Sequence, residues 1–370
     1  MTIFDLTVPA SSPSALQILW LILVAVLWIG FFFLEGFDFG VGMLVPFMSK
    51  KDSDRRVVIN TVGPHWDGNE VWLLTAGGAM FAAFPGWYAT LFSGLYLPLF
   101  LVLVGLILRG VAFEYRSKRE SETWRNTWDW LLAIGSFLPA LVFGVGFANF
   151  LKGLPVGPHI TAFGNEVTLY TGTFWGLFMP FCLIGGLLLV ALFLAHGAFF
   201  IALKTLGDMH DRAQKLGSTL GLIAGVLMLV FVIWGNVAYQ LPGQLGWLRV
   251  AAWITGIVAI VCIGFAWYMN SKHRDGWAFV GTSLATVMLV VMFFCHFYPG
   301  LGFDNSVNNG TVAIDLTTAS SSEMTLKIMT IAACCLVPIV LAYTIWSYFF
   351  VFRRRLSTKN IPADDVTVAA

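Results

Sequence analysis

Charged side chains are scarce in this sequence. Asp, Glu, Lys and Arg make up 11% of the 370 residues, whereas hydrophobic residues make up 58%. A soluble domain typically contains about 25% charged residues, so the composition excludes an ordinary soluble protein. The net charge of +1 provides no basic excess for binding nucleic acid. The sequence therefore predicts a protein that resides in a lipid bilayer.

Cysteine pairs and N-terminal basic residues are also missing. The five cysteines include no CxxC arrangement, and all of them lie in apolar stretches. Their odd number and these positions argue against a disulfide framework or a zinc site. The first fifteen residues contain no Lys or Arg, which a cleavable signal peptide would have. We therefore expect the first apolar stretch to remain as a helix.

Nine apolar stretches are long enough to cross a bilayer as helices, since a crossing needs about 20 residues. Pro85-Gly86 separates the second helix from the third, and Leu241-Pro242-Gly243 separates the sixth from the seventh, as expected of turn sequences. The predicted helices cover residues 16–48, 57–84, 88–113, 127–150, 173–203, 212–239, 247–269, 277–298 and 325–352. The segments 151–172 and 299–324 are predicted to be longer loops.

The basic residues are unevenly distributed between alternate loops. If the N-terminus is outside, most of the 21 Lys and Arg residues fall in cytoplasmic loops and the C-terminal tail. Membrane proteins retain their basic loops on the cytoplasmic side. This bias predicts an outside N-terminus and a cytoplasmic C-terminus.

Four carboxyl groups lie within the first two predicted helices. Glu35 and Asp38 are on the first helix, and Asp67 and Glu70 are on the second. The basic loop between the helices is centred near residue 52, so the two pairs are equally distant from it. We therefore expect all four carboxyl groups at one depth, roughly 15–20 Å from the loop.

Charged groups in a membrane are costly and often functional. Residues three apart share one helix face, so Asp67 and Glu70 share a face, with His65, Asn69 and Trp72 predicted on the opposite side. Four carboxyl groups at one depth cannot all be ionised in a low dielectric, which predicts a proton relay. Its candidates are Asp67, Glu35, Asp38 and His65. The alternative is that the carboxyl groups only pair with donors such as Asn60, Asn69, Trp66 or a neighbouring subunit's arginine.

Other polar residues in apolar stretches are interpreted more simply. His196 and His296 are each isolated on an apolar helix, which is typical of a hydrogen-bonded structural histidine and not of a haem ligand. Arg109 is predicted to extend to the cytoplasmic surface from one turn inside its helix. Asp129, between Trp128 and Trp130, is predicted to be an acidic residue near the start of the fourth helix.

Five sequence blocks stand out together. They are GFDFGVGML at 36–44, PHWDGNEVW at 64–72, TAGGA at 75–79, FEYRSK at 113–118 and WRNTWDW at 124–130. In this order they resemble subunit II of the cytochrome bd-type quinol oxidases. The similarity is strongest over residues 20–150. Asp67 matches an acidic residue that this family assigns to a proton path, and Glu35 stands where the family commonly has aspartate.

The resemblance implies an all-α integral membrane protein with two four-helix bundles plus one extra helix. The bundles would occupy residues 1–150 and 151–300, and residues 301–370 would form an outer loop, the ninth helix and a tail. The location would be the bacterial cytoplasmic membrane.

The resemblance also implies partners and cofactors. A larger subunit I would hold haem b and haem d, and the complex would reduce dioxygen to water with electrons from quinol. This chain would ligate no haem and contain no complete active site. The resemblance allows a structural quinone and small single-helix subunits. Two alternatives remain, a purely structural partner subunit and a proton-coupled transporter. Against the transporter, the sequence shows neither the inverted repeat nor the pair of broken helices that are typical of such proteins.

Overall fold

A computed structural model describes residues 12–160, 166–239, 246–304, 314–351 and 354–360. Eleven α-helices make up most of this part of the chain. They are α1 Ala15–Met48, α2 Asp52–Asn60, α3 Trp66–Ala83, α4 Pro85–Gly94, α5 Tyr96–Tyr115, α6 Glu122–Lys152, α7 Pro180–Lys204, α8 Asp208–Ala238, α9 Gly246–Ser271, α10 Asp275–Phe297 and α11 Glu323–Trp346. The predicted turn at Leu241-Pro242-Gly243 and both chain ends lie outside the described residues.

Eight of the described helices, α1 and α5 to α11, are long and apolar enough to cross a membrane. The chain is therefore a multi-pass membrane protein, as its composition predicts. Local capping explains where several helices begin. Ser14 and Gln17 cap α1 reciprocally, each side chain accepting a backbone N–H of the other residue. Ser121 caps α6 with a single hydrogen bond, accepting the N–H of Trp124.

Two predicted helices are each broken in the structure. The single helix predicted over 57–84 is wrong, because a turn at residues 61–65 separates α2 from α3. Pro64 lies in this turn and has no N–H to continue a helical ladder. The helix predicted over 88–113 is also interrupted, at Leu95 between α4 and α5. Pro98 is four residues after Gly94 and cannot donate to its carbonyl, which favours the break.

Helix α1 is the centre of the packing. It contacts α3, α6, α7 and α10, while α7, α8, α9 and α10 pack against one another in sequence, with α10 returning to α7. The closest crossing joins Gly40 of α1 and Gly197 of α7, where a Cβ atom on either residue would collide with the other backbone. Small residues permit such close approach between membrane helices. The crossing holds α1 in register with the second half of the chain.

A small sheet lies in the long loops, so the prediction of a purely α-helical chain is too strict. Strands β1 Leu154–Ile160, β2 Glu166–Tyr170 and β3 Phe303–Asp304 form it in the order β2-β1-β3. β1 pairs with β2 antiparallel and with β3 parallel. Backbone groups that leave the helices need partners, and these loops supply them to each other.

The last helix, α11, is fastened mainly at its two ends. Near its start, Trp20 Nε1 of α1 donates to the Leu326 carbonyl and to Thr330 Oγ1, at 3.2 and 3.0 Å. After its end, a π-helical turn over Ser347–Val351 brings Tyr348 against α3. Between these contacts every residue from 334 to 343 is exposed. This stretch of α11 therefore makes little contact with the remainder of the described chain.

Candidate functional site

Arg109 is the centre of a buried ionic group between α1, α3 and α5. Its Nη1 lies 2.5 Å from Glu35 Oε1 and donates a hydrogen bond of 2.6 Å to Glu70 Oε1. Arg109 and Glu35 are fully buried, and the Glu70 side chain is 24% exposed. The rings of Phe39, Trp66 and Phe113 lie against the guanidinium. The prediction that Arg109 extends to the surface is wrong, because its carboxylate partners lie at its own depth.

Asp38 occupies the same buried region, one turn beyond Glu35 on α1. Asn69 Nδ2 donates a hydrogen bond of 2.6 Å to Asp38 Oδ2. The Nδ1 atom of His65 lies 3.8 Å from Asp38 Oδ1. The turn before α3 makes His65 its N-cap residue, so His65 and Asn69 are one helical turn apart and both reach Asp38.

Asp67 does not join this buried group. Its side chain is exposed, and its Oδ1 accepts the N–H of Gly68 at 2.8 Å. Residues two positions apart in a helix are about 200° apart around its axis. When Asn69 faces Asp38, Asp67 therefore faces away from it. The predicted equal distance from the α1–α2 loop therefore does not bring Asp67 together with the other three carboxyl groups. The structure assembles three carboxyl groups and an arginine, with Asp67 on the outer face of α3.

Three carboxyl groups and a single guanidinium lie together here, in what we call the carboxyl cluster (Glu35, Asp38, Glu70 and Arg109), and two of the carboxyl groups contact the guanidinium. Within the described part of the chain, Glu35 Oε2 and Asp38 Oδ1 have no hydrogen-bond partner, and neither do Arg109 Nε and Nη2. One guanidinium balances the charge of one carboxylate, and an unbalanced buried carboxylate is costly. The cluster can therefore bind a proton and transfer it.

The sequence of this chain is similar to known proteins of one family. The profile of the family "Cytochrome bd terminal oxidase subunit II" matches residues 16–351. The cytochrome bd ubiquinol oxidase subunit 2 of Bacillus subtilis is 40% identical over 349 residues, covering 94% of this chain and 98% of that protein. The cytochrome bd-I ubiquinol oxidase subunit 2 of Escherichia coli K12 is 36% identical over 369 residues, covering 92% and 95%. The chain belongs to the cytochrome bd terminal oxidase subunit II family.

A solved structure shares the fold of this subunit. The bd oxidase from Geobacillus thermodenitrificans includes a chain that superposes with a TM-score of 0.68 at 18% identity, covering 91% of this chain and 99% of that one. The family match and the sequence relatives confirm the predicted resemblance to subunit II of the bd-type oxidases. The chain is one subunit of a terminal oxidase.

A second ionic group ties α2 and α6 together at the end of the molecule that holds the α1–α2 loop. Asp129 is fully buried and accepts from Arg55 at 2.9 Å and from Arg116 at 2.5 Å. Asp52 joins it through Arg116 at 2.7 Å and Arg125 at 2.8 Å. Asp129 is therefore not only an acidic residue near the start of a helix, because it also joins two arginines from separate segments.

The two isolated histidines are hydrogen-bonded within the subunit. His196 uses both ring nitrogens, with Thr282 Oγ1 at 2.7 Å and the Phe33 carbonyl at 3.2 Å. His296 contacts Asn236 Oδ1 at 3.3 Å. Among the residues that the structure describes, no three His, Cys, Asp or Glu side chains are grouped as a metal site. These histidines therefore fit the structural interpretation.

Three residues of the site were missed or misread from sequence. The sequence predicts Arg109 at the surface, offers Asn69 only as one of several possible donors to the carboxyl groups, and indicates no role for Tyr348. A usable signal existed for Arg109, since it is a lone basic residue in an otherwise apolar helix, and such residues pair within the protein. Tyr348 gave no such signal, because tyrosine at a helix end is typical of a membrane interface.

Proposed function

We propose that this subunit II ligates no haem, supports a haem-bearing subunit I, and conducts protons from the cytoplasm toward the site where the complex reduces dioxygen with quinol electrons. The observation that carries the proposal is the carboxyl cluster on α1, α3 and α5 with Asp67 exposed beside it. An oxygen-reducing reaction consumes protons, and a buried group with more carboxyls than cations is suited to supply them.

The proposed path runs through buried side chains and ends at an exposed one. It begins at His65, continues through Asp38 and Glu35, and leaves the chain at Asp67. His65 lies 3.8 Å from Asp38, and Arg109 holds Glu35 and Glu70 together. Asp67 is the last carboxyl group because it faces away from α1 and toward whatever covers α3.

The outer face of α3 supports the proposed contact with subunit I. The exposed positions of this face are Asp67, Gly68, Val71, Leu74, Thr75 and Gly78. Both glycines have open space where a Cβ would lie, so another helix can approach closely. A carboxyl group exposed to lipid would be costly. A polar partner surface against α3 removes that cost and receives the proton.

The placement of the cofactors follows from His196 and from an apolar cavity. His196 has both ring nitrogens engaged, so it does not fit a haem ligand, and we assign haem b and haem d to subunit I. A cavity of about 720 Å³ opens between α3, α4, α5 and α6, with Trp28, Trp87 and Phe92 among its mostly apolar lining residues. An isoprenoid quinone tail fits such a lining. We assign the structural quinone to this cavity.

The proposed topology has nine crossings, with α3 as the crossing that composition alone does not mark. Residues 1–150 and 151–300 then form two four-helix bundles, and α11 is the extra helix. The charged loop ends meet on one side of the molecule, where Arg212 donates to the Met48 carbonyl at 3.0 Å and Arg355 lies 3.6 Å from Asp275. This basic side is the cytoplasmic side by the charge rule, in a bacterial cytoplasmic membrane.

The test is Asp67→Asn in the complete oxidase. The amide keeps the shape of the side chain but carries no exchangeable acidic proton. We expect quinol-driven oxygen consumption to fall at least ~10-fold, about 1.4 kcal/mol of barrier, with haem content and subunit association unchanged. Glu323→Gln is the matched control, because Glu323 is an exposed carboxyl group paired only with Lys327 in its own helix. The control should retain full turnover.

The rival function is that of a purely structural subunit, which the ion pairs of Arg109 also fit. Loss of the complex in Asp67→Asn would favour this rival. Full turnover with an intact complex would remove Asp67 from the path, and the same assay on Glu35→Gln and Asp38→Asn would then decide whether the cluster conducts protons at all.

A further inference from the structure

Tyr348 joins the last helix to the carboxyl cluster. It lies in the π-helical turn Ser347–Val351, and its hydroxyl donates a hydrogen bond of 2.8 Å to Asn69 Oδ1. Its ring packs against the His65 ring, with centroids 5.1 Å apart. The path described above does not use Tyr348, although its hydroxyl reaches both Asn69 and His65.

The Tyr348 hydroxyl and the Asp38 carboxylate hold the Asn69 amide between them. A carboxamide has one accepting oxygen and one donating nitrogen. Asn69 Oδ1 accepts from Tyr348 at 2.8 Å, and Nδ2 donates to Asp38 Oδ2 at 2.6 Å. The opposite orientation would place Oδ1 against the carboxylate. Asp38 is consequently held by one oxygen, and its Oδ1 has no hydrogen-bond partner within the described residues.

The histidine beside this oxygen is held in one tautomer. His65 Nε2 lies 3.1 Å from the Thr61 carbonyl, which can only accept, so Nε2 carries the hydrogen in the neutral ring. Nδ1 is then the basic nitrogen. It lies 3.4 Å from Asn69 Nδ2, 3.4 Å from the Tyr348 hydroxyl and 3.8 Å from Asp38 Oδ1. A shift of roughly 0.6–1 Å would bring Nδ1 and Oδ1 within hydrogen-bond distance.

We propose that Tyr348 is a positioning residue that fixes the Asn69 amide and thereby aims Asp38 Oδ1 at His65 Nδ1, the pair between which a proton passes. The step is balanced. A cytoplasmic proton binds Nδ1 to give the imidazolium, and the Nδ1–H bond then breaks as an O–H bond forms on Asp38. The products are a neutral imidazole and a carboxylic acid. This inference rests on the proposed proton path.

The competing interpretation is that Tyr348 only fastens α11. This interpretation has support, since residues 334–343 are all exposed and the helix is held mainly at its ends. The two interpretations differ in what the hydroxyl changes. A fastening contact affects stability alone, whereas a positioning contact also affects the proton-dependent part of turnover.

The experiment compares Tyr348→Phe with Trp20→Phe in the complete oxidase. Both changes remove one hydrogen-bond donor that holds α11, but Trp20 is at the opposite end of the helix from the cluster. Oxygen consumption is measured at saturating quinol across pH. The charged groups near Asp38 and His65 are Glu35 on α1, Asp67 and Glu70 on α3, Arg109 on α5 and Lys204 on α7.

We expect Tyr348→Phe to lower turnover roughly fivefold, as a misaligned reacting pair does, and to displace the pH profile. Trp20→Phe should lower thermal stability and leave the profile unchanged. An unchanged profile in Tyr348→Phe would overturn the inference and leave Tyr348 as a fastening residue. If Asp38→Asn retains full turnover, the proposed path itself fails, which is a separate outcome.

A double-mutant cycle tests the route through Asn69. If Tyr348 acts by fixing the amide, adding Tyr348→Phe to Asn69→Leu should change turnover little beyond Asn69→Leu alone, since interacting residues are not additive. Additive losses would contradict positioning through Asn69. Thermal unfolding of all four proteins shows whether each variant is folded when it is assayed.

Discussion

Arg109 of α5 neutralises Glu35 of α1 in the interior of the subunit, with Nη1 and Oε1 2.5 Å apart and both side chains fully buried. Glu70 of α3 shares the same nitrogen at 2.6 Å. One cation therefore connects three helices that are distant in sequence. The pairing makes the first bundle dependent on charge as well as on apolar packing.

Replacing the cation should destabilise the subunit. Arg109→Met leaves Glu35 and Glu70 without a counter-charge, and removing one partner of a buried ion pair costs about 3–5 kcal/mol. We expect a lower unfolding temperature and a lower yield of complex, measured by thermal unfolding in detergent. Adding Glu35→Gln to Arg109→Met should recover part of the loss. Unchanged stability of Arg109→Met would show that the pair contributes nothing.

The second ionic group should also matter for stability, and not for proton transfer. Asp129→Asn weakens two buried contacts with Arg55 and Arg116, which should cost about 3 kcal/mol. Turnover per intact complex should be unchanged. The exposed pair of Glu323 and Lys327 provides the comparison, since Glu323→Gln should not alter the unfolding temperature. A selective loss of turnover in Asp129→Asn would instead place this group on the proton path.

The topology can be checked with reporter fusions. A reporter joined after residue 360 should be cytoplasmic, and one inserted in the 304–322 loop should be outside, as the distribution of basic residues predicts. A cytoplasmic signal from the 304–322 loop would contradict the count of nine crossings.

If the apolar cavity holds a structural quinone, a bulky side chain inside it should lower the quinone content of the complex. Gly77 lines the cavity and has open space around its Cβ position, so Gly77→Phe should place a ring in the volume that a quinone would occupy. Quinone extracted from the purified complex should fall to less than half of the wild-type amount. Gly264→Phe is the control, because Gly264 is an exposed glycine on α9 with equally open surroundings. Equal quinone content in both variants would exclude this cavity.

The sequence predicted most crossings well and the site less well, for identifiable reasons. Long apolar runs such as 16–48 specify a membrane helix by composition alone, and the structure gives Ala15–Met48. The break at residues 61–65 depends on Pro64 and on local turn geometry, which an apolar count does not detect. This break determines which α3 residues face α1. Asn69, and not Asp67, therefore contacts Asp38.

Contacts between distant segments were the hardest to predict. Arg109 and Glu35 are brought together only by the packing of α5, α3 and α1, and no spacing rule within one helix relates them. The same is true of Tyr348 and Asn69. Equal distance from the α1–α2 loop makes groups on α1 and α3 candidates for contact, but rotation about each helix axis decides which of them meet.

The attachment of α11 by its two ends has a consequence for how the chain is made. A ribosome delivers the N-terminal helices first, and α1, α3 and α5 can pack before the last helix emerges. The hydroxyl of Tyr348 then reaches Asn69 only after α11 has been synthesised. A product truncated before this residue would insert the earlier helices and still lack the contact between Tyr348 and Asn69. Synthesis of α11 and completion of the proposed proton path thus coincide.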